Sequence, residues 1–229
     1  KSNFAEGVHY LVVIGTDSNG EKSVDTVTVT IKSTTITHNS ISYNIITSPY
    51  TTKNWLDRNV GASQVCSSSN DINCYGDYFQ WGRLADGHEK QTSTTTATTI
   101  AYNDDTSNEY ITPAEWGTGD TSGALRVARW NQITGNVNGV SGATYTDVCP
   151  VGFRVPTQAE VISETTSQGV ADNATAFSNF LKLPVAGFRK DDGTMQNVGS
   201  IVYLWYNTPD GTTEAKYLRV SSGTAAPDS

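Results

Sequence analysis

The sequence predicts an α+β domain with two helices, short antiparallel strands and long loops, preceded by a β-hairpin of separate character. Three observations carry that prediction. Alternating apolar residues flank Asp17-Ser18-Asn19-Gly20, a strong hairpin-turn signal. Thr157 and Glu160 stand at the spacing of a capping box, where the hydroxyl accepts a helix N–H and the carboxylate reaches back to the Thr157 N–H. Apolar alternation then returns on both sides of Thr208-Pro209-Asp210-Gly211, a second hairpin signal.

Bulk properties bound the function classes. With 229 residues the chain can bury roughly 70% of its unfolded surface, enough for one core and a small extra module. A net charge of -8, with the 15 Lys and Arg scattered, argues against nucleic acid, whose phosphates call for clustered cations. No apolar run approaches the roughly 20 residues that cross a bilayer, so no membrane span is expected. Few charges (17%), 10% aromatics and abundant Ser, Thr, Asn and Gly form a mix common in secreted bacterial β-rich proteins. Lys1 begins inside hairpin-like sequence, which places any export signal upstream. His9, His38 and His88 with three cysteines give no zinc spacing, and no Ser-His-Asp pattern is present, so no enzyme is expected.

Residues 1–32 read as a hairpin, with Val8, Tyr10, Val12 and Ile14 on one face and Val24, Thr26, Thr28 and Thr30 alternating with Val27, Val29 and Ile31. Residues 33–40 read as a polar linker, and Ile41, Tyr43 and Ile45 as one face of a strand. Cys66 and Cys74 flank a short polar loop and suit a local disulfide, worth roughly 2–3 kcal/mol in the chain-entropy model. Asp57-Arg58 and Asp77…Arg83 read as structural ion pairs among dense aromatics whose turns need glycine.

From Gly87 to Gly142 regularity is lost. Thr112-Pro113-Ala114-Glu115 suits one helical turn, and Trp116 and Trp130 are expected to pin the segment to the core. Asp104, Asp105 and Asp120 are candidate oxygen ligands for calcium; no other cofactor is expected. Pro150 and Gly152 then punctuate a turn, Phe153 and Val155 alternate as a strand, and Pro156 ends it. A helix is expected from Thr157 to about Thr166. A second is capped by Asp172 or Asn173, carries Phe177, Phe180 and Leu181 at helical spacing and stops before Pro184.

Residues 185–189 read as a strand, and 201–207 with 214–221 as the closing hairpin, after which 223–229 trail off. Tyr203, Trp205, Tyr206 and Tyr217 alternate along that hairpin, so one aromatic set faces away from the core. With Asn207 and Asp210 they are the candidate ligand contacts, because exposed Tyr and Trp stack on sugars or anchor protein partners.

Two resemblances follow. Residues 7–20 resemble the final two strands of a bacterial Ig-like or PKD-like sandwich, whose other strands would lie elsewhere. Trp55-Leu56-Asp57-Arg58-Asn59-Val60-Gly61-Ala62, Gly76 through Arg83, Cys149 through Glu160, Leu183 through Arg189 and Asn197-Val198-Gly199-Ser200 resemble, in order, the Fibrobacter succinogenes major paralogous domain. The match runs from about residue 41 to 221 within a domain placed at 41–229.

That family is similar to the C-type lectin-like fold, shared with the formylglycine-generating enzyme and diversified receptor-binding proteins. It is typical of secreted and surface proteins of Bacteroidetes, often behind Ig-like repeats. The resemblance implies an extracellular or cell-surface location and a non-catalytic binding module for a surface glycan or protein, with the ligand surface in the terminal region. The alternative is a structural subunit or tip of a surface fibre or phage-like fibre. A formylglycine-generating chemistry is disfavoured because no cysteine follows Cys149. Family members usually end in a strand whose cysteine would pair with the one in the Cys-Pro motif. The resemblance therefore implies that Cys149 has a partner outside this segment, on a continuation of the polypeptide or a neighbouring subunit.

Overall fold

The computed structural model describes residues 7–31, 34–102, 107–131, 148–211 and 214–228, and these form an α+β architecture of several small sheets and three α-helices. Strands β1 (Gly7–Thr16) and β2 (Lys22–Ile31) make the expected hairpin, in register from Gly7↔Ile31 to Thr16↔Lys22. Asp17 builds its turn, its Oδ1 accepting from the Asn19 and Glu21 N–H groups at 2.8 and 2.9 Å. Tyr10, Val12, Ile14 and Val24 share one face, and each is more than half exposed. The hairpin thus displays apolar surface rather than burying it.

Residues 35–38 are not a linker. They form β3 (Thr35–His38), which pairs with β4 (Ile41–Thr47), and β4 in turn pairs with β5 (Asn54–Leu56). The connection is Asn39-Ser40, both at positive φ (48° and 64°), a tight hairpin turn made without the glycine that usually announces it. Tyr43 is the buried residue of β4, as its alternation predicts. Cys66 and Cys74 are disulfide-bonded, with Cα atoms 5.0 Å apart. They sit in a small core with Tyr75, Tyr78 and Ala186.

Among the described residues, the strands of the irregular middle are two residues long: β6 (Thr95–Thr96), β7 (Ile100–Ala101), β8 (Tyr110–Ile111) and β9 (Gly117–Thr118), paired β6–β8 and β7–β9 in parallel. Pro113–Glu115 form bends, and residues 112–115 make no helical turn. A helix does follow at α1 (Ala124–Trp130), without apolar periodicity, because its inward face is Arg126, Arg129 and Trp130. Gly82 makes room for it: a Cβ there would lie 2.3 Å from the Arg126 Cβ, and its φ is 79°. Trp116 and Trp130 are buried, as expected of the residues that pin this segment.

Helix α2 (Gln158–Glu164) opens on the predicted capping box, with Glu160 N–H to Thr157 Oγ1 at 3.2 Å and Thr157 N–H to Glu160 Oε2 at 2.9 Å. Burial alone would raise the Glu160 carboxyl. Bonds from Arg154, the Thr157 N–H and Lys53 outweigh it and hold the group down at about 2. Helix α3 (Asn173–Ser178) is capped by Asp172 but ends well short of Pro184. Asn179 stops it: its backbone turns extended, and its side chain bonds to the Leu181 N–H and the Glu164 carbonyl.

Strands β10 (Phe188–Arg189) and β11 (Met195–Gln196) form a short hairpin, and β12 (Val202–Asp210), β13 (Glu214–Val220) and β14 (Ala225–Asp228) form a three-stranded sheet in that order. Residues 225–228 therefore continue the sheet instead of trailing off. Val161, Leu181 and Leu183 pack on Val202, Tyr206, Leu218 and Val220 as the main core. Cys149 is half-buried beside a second core of Trp81, Trp130, Val148 and Val155.

Candidate functional site

Strand parity decides which aromatics of the terminal sheet are available. Val202, Tyr206, Leu218 and Val220 face the core, whereas Tyr203, Trp205 and Tyr217 take the other face and are only half-buried. Their rings form a chain: Tyr203 to Tyr217 at 5.6 Å between centroids, Trp205 to Tyr217 at 5.7 Å, and Phe188 of β10 to Tyr203 at 4.9 Å. Interplanar angles of 48°, 88° and 58° tilt successive faces towards one another rather than laying them flat. Gly187 places Phe188. Its φ is 68°, and a Cβ there would fall 2.2 Å from the Gln196 carbonyl oxygen.

These rings form part of the lining of an open cleft of ≈ 690 Å³, shared with Tyr78, Trp81, Tyr110 and Trp116. The indole N–H groups there are all engaged on main-chain carbonyls: Trp205 to Phe79 at 3.0 Å, Trp81 to Tyr206 at 2.9 Å, Trp116 to Trp81 at 2.8 Å and Trp130 to Arg83 at 2.9 Å. The Asn59 and Gln80 amides likewise donate to the carbonyls of Tyr75 and Ile111. The aromatic lining is therefore held by its own polar edges.

The charged lining is acidic in excess. Arg126 lies over the rings of Trp81 and Tyr102 at 4.9 and 4.4 Å and pairs with Asp120 and Glu115 at 3.3 and 3.4 Å. Arg189 lies 4.2 Å over Tyr110 and donates to the carbonyls of Gly193, Lys90 and Ser93 and to the Ser93 hydroxyl. Burial pushes the Tyr110 hydroxyl up to about 12. Against these two committed cations stand Asp77, Glu115, Asp191 and Glu214. Burial raises the Asp77 carboxyl above its ordinary range even though Lys90 Nζ is 2.8 Å away, and Glu214 is exposed with no partner among the described residues.

Of the residues expected at a ligand surface, Tyr203, Trp205 and Tyr217 converge here. Tyr206 does not: it has the opposite parity and is fully buried. Asn207 shares the outward parity, but the register shifts between Trp205 and Pro209, and Asn207 is buried with its N–H on the Pro156 carbonyl at 2.9 Å. Asp210 lies at the end of the hairpin, paired with Lys216 at 3.7 Å. Phe188 and Glu214 were missed. Only the glycine before Phe188 hinted at either: Glu214 has the parity of the core-facing Leu218 and Val220, and lines the cleft from the exposed first position of β13.

Asp104 and Asp105 lie outside the described residues. Asp120 is buried and taken up by the Arg126 N–H and Nε at 3.0 and 3.3 Å. Asp77 pairs with Lys90 rather than Arg83, and Arg83 pairs with Asp86, whereas Asp57 and Arg58 do pair, at 2.7 Å. Asp86, His88 and Glu89 bring potential metal-ligand atoms within 4.8 Å of one another. Their hydrogen bonds explain the cluster without an ion. His88 Nε2 accepts from the Gln80 N–H at 3.1 Å, so Nδ1 carries the proton and donates to Asp86 at 2.6 Å. Burial keeps that ring neutral, pushing it below its ordinary pKa of 6.5.

No protein-family model matches the chain, and no similar curated protein or solved structure was found.

Proposed function

We propose that the chain is a non-catalytic binding module of an extracellular or cell-surface protein, with a C-type lectin-like domain at 41–229 whose aromatic cleft receives a glycan or protein ligand. The observation that carries this reading is the tilted ring chain Phe188–Tyr203–Tyr217–Trp205 along an open cleft. A cleft of that size with an aromatic lining and a few polar groups is how small ligand groups are held. The Cys66–Cys74 disulfide fits an oxidising, extracellular setting. His88, the histidine of the cleft's neighbourhood, is committed through both nitrogens and offers no general base.

The test is a panel of immobilised glycans and surface proteins probed with the parent chain and with Tyr217→Ala. Binding that Tyr217→Ala weakens supports the cleft. Ligands bound equally by both forms would place recognition elsewhere. The second reading, a subunit or tip of a fibre, draws on the exposed apolar face of the β1–β2 hairpin, since an isolated two-stranded hairpin is marginal in water. Concentration-dependent polymerisation, seen by light scattering and abolished by Val12→Thr with Ile14→Thr, would favour it.

A further inference from the structure

We infer that the cleft takes the ammonium or guanidinium group of a basic side chain on a protein partner. This rests on the reading of the cleft as the ligand surface and narrows its ligand class. The lining has few free donors left to offer a ligand. Its indole N–H groups are spent on main-chain carbonyls, and the Asn59 and Gln80 amides each donate to one. Its guanidinium groups, Arg126 and Arg189, are spent on carboxylates, carbonyls and ring faces. What the lining offers a ligand is carboxylate, which only accepts, and the faces of tilted rings; the Tyr78 and Tyr110 hydroxyls donate to the Ala186 and Arg189 carbonyls, and the Tyr203 hydroxyl meets Asn197 and Arg219.

An acidic glycan or phosphate would meet no uncommitted cation among the described residues of the lining. A neutral sugar needs donors and acceptors together, and the donor half is poorly supplied. Lysine and arginine heads match the remainder, because they donate and never accept, and a cation is drawn to an aromatic face. The protein itself shows the affinity of these rings for cations: Arg189 lies 4.2 Å over Tyr110 and Arg126 4.9 Å over Trp81. Glu214, exposed on the cleft and without a partner among the described residues, supplies the counter-charge. Arg219, which approaches the Tyr203 hydroxyl at 3.4 Å, sits at the opposite end of β13 from Glu214 and leaves that end acidic. The chain's net charge of -8 favours encounter with such a partner.

The experiment titrates the full chain, by its tryptophan fluorescence at physiological salt, with a capped peptide of alternating lysine and glycine. The same peptide with acetylated lysines, maltoheptaose, heparin and choline are run beside it. The lysine peptide is expected to bind, with acetylation weakening it about tenfold or more. Tyr217→Leu and Glu214→Gln should each weaken it while circular dichroism and the unfolding midpoint hold. Equal binding of the acetylated peptide overturns the inference. So does weakening by Glu214→Gln with none by Tyr217→Leu, which marks diffuse attraction to an acidic protein. Tighter binding of maltoheptaose, heparin or choline, lost in Tyr217→Leu, overturns the basic side chain but leaves the cleft as a binding surface. If no probe shows Tyr217-dependent binding, both fall.

Discussion

Replacing Glu164 with glutamine should destabilise the protein by far more than its near-identical shape suggests. Glu164 ends α2, is fully buried, and accepts from the Ser48 hydroxyl at 2.6 Å, the Trp55 indole at 3.1 Å and the Thr51 hydroxyl. No cation pairs with it among the described residues; these donors alone solvate it. They belong to β5 and the connection that joins it to β4, so this one side chain ties the first sheet to the helical layer.

An amide offers one acceptor oxygen where the carboxylate offers two. If its NH₂ faces Trp55, a donor meets a donor. If it faces Ser48, that hydroxyl is already accepting from the Tyr50 and Thr51 N–H groups, each at 3.0 Å, and has little left with which to accept another. Either way a buried donor is left unmatched, costing about 1–3 kcal/mol, and the surviving bonds lose their charge assistance. The sum is about 3 kcal/mol, a large share of the roughly 5–15 kcal/mol that holds a domain folded. In urea the unfolding midpoint should fall with the slope unchanged, and Tm should drop by roughly 6–12 °C. A Glu164→Gln protein within about 0.5 kcal/mol of the parent would refute the reasoning, because surface-like changes fall in that range.

Other expectations follow from single groups. The Tyr206 hydroxyl is buried with no hydrogen-bond partner among the described residues, so Tyr206→Phe should be neutral or stabilising by up to about 1 kcal/mol in urea unfolding, whereas a loss would reveal a partner. His88 is held neutral in the fold by burial, so its folded pKa lies below the unfolded 6.5. Its contribution is complete above pH 6.5 and is lost as pH falls through the folded value, so the urea midpoint should decline below that pH more steeply than in His88→Gln. Reduction of Cys66–Cys74 should lower stability by about 2.5 kcal/mol, read as a shift in the same midpoint with and without reductant.

What was legible in the sequence is what rests on neighbours in the chain. The capping box at Thr157, the Asp17 turn and the Cys66–Cys74 loop need only a few consecutive residues, and each is present. What was not legible depends on distant partners. Helix α1 hides because the groups it buries are guanidinium side chains, whose partners Asp120, Gly82 and Tyr102 are supplied by other segments. Helix α3 ends early because the Glu164 carbonyl competes for Asn179. At the site, period-two parity separated Tyr206 from Tyr203, Trp205 and Tyr217, and following it strictly would have removed Tyr206 from the ligand contacts. The one local sign of the register shift that turns Asn207 inwards is Pro209, a residue that sheets accept at edges and bulges.

The cleft and the missing regular structure have one cause. Between Gly76 and Trp130 the strands are two residues long, so most main-chain carbonyls have no ladder partner and must find donors elsewhere. Side chains provide them. Arg83 donates to the Glu109 and Ser107 carbonyls, Arg129 to those of Gly82 and Tyr102, and the tryptophans to Trp81 and Arg83. A chain that is only 36% hydrophobic can hold such a segment because each of these residues fills volume and satisfies the backbone at once. The consequence reaches the site. The polar edges that would otherwise greet a ligand are the fastenings of the loops, and a ligand that competed for them would loosen the scaffold presenting it. On the proposed reading, recognition therefore falls to the exposed Glu214 carboxylate and the half-buried rings of Tyr203, Trp205 and Tyr217.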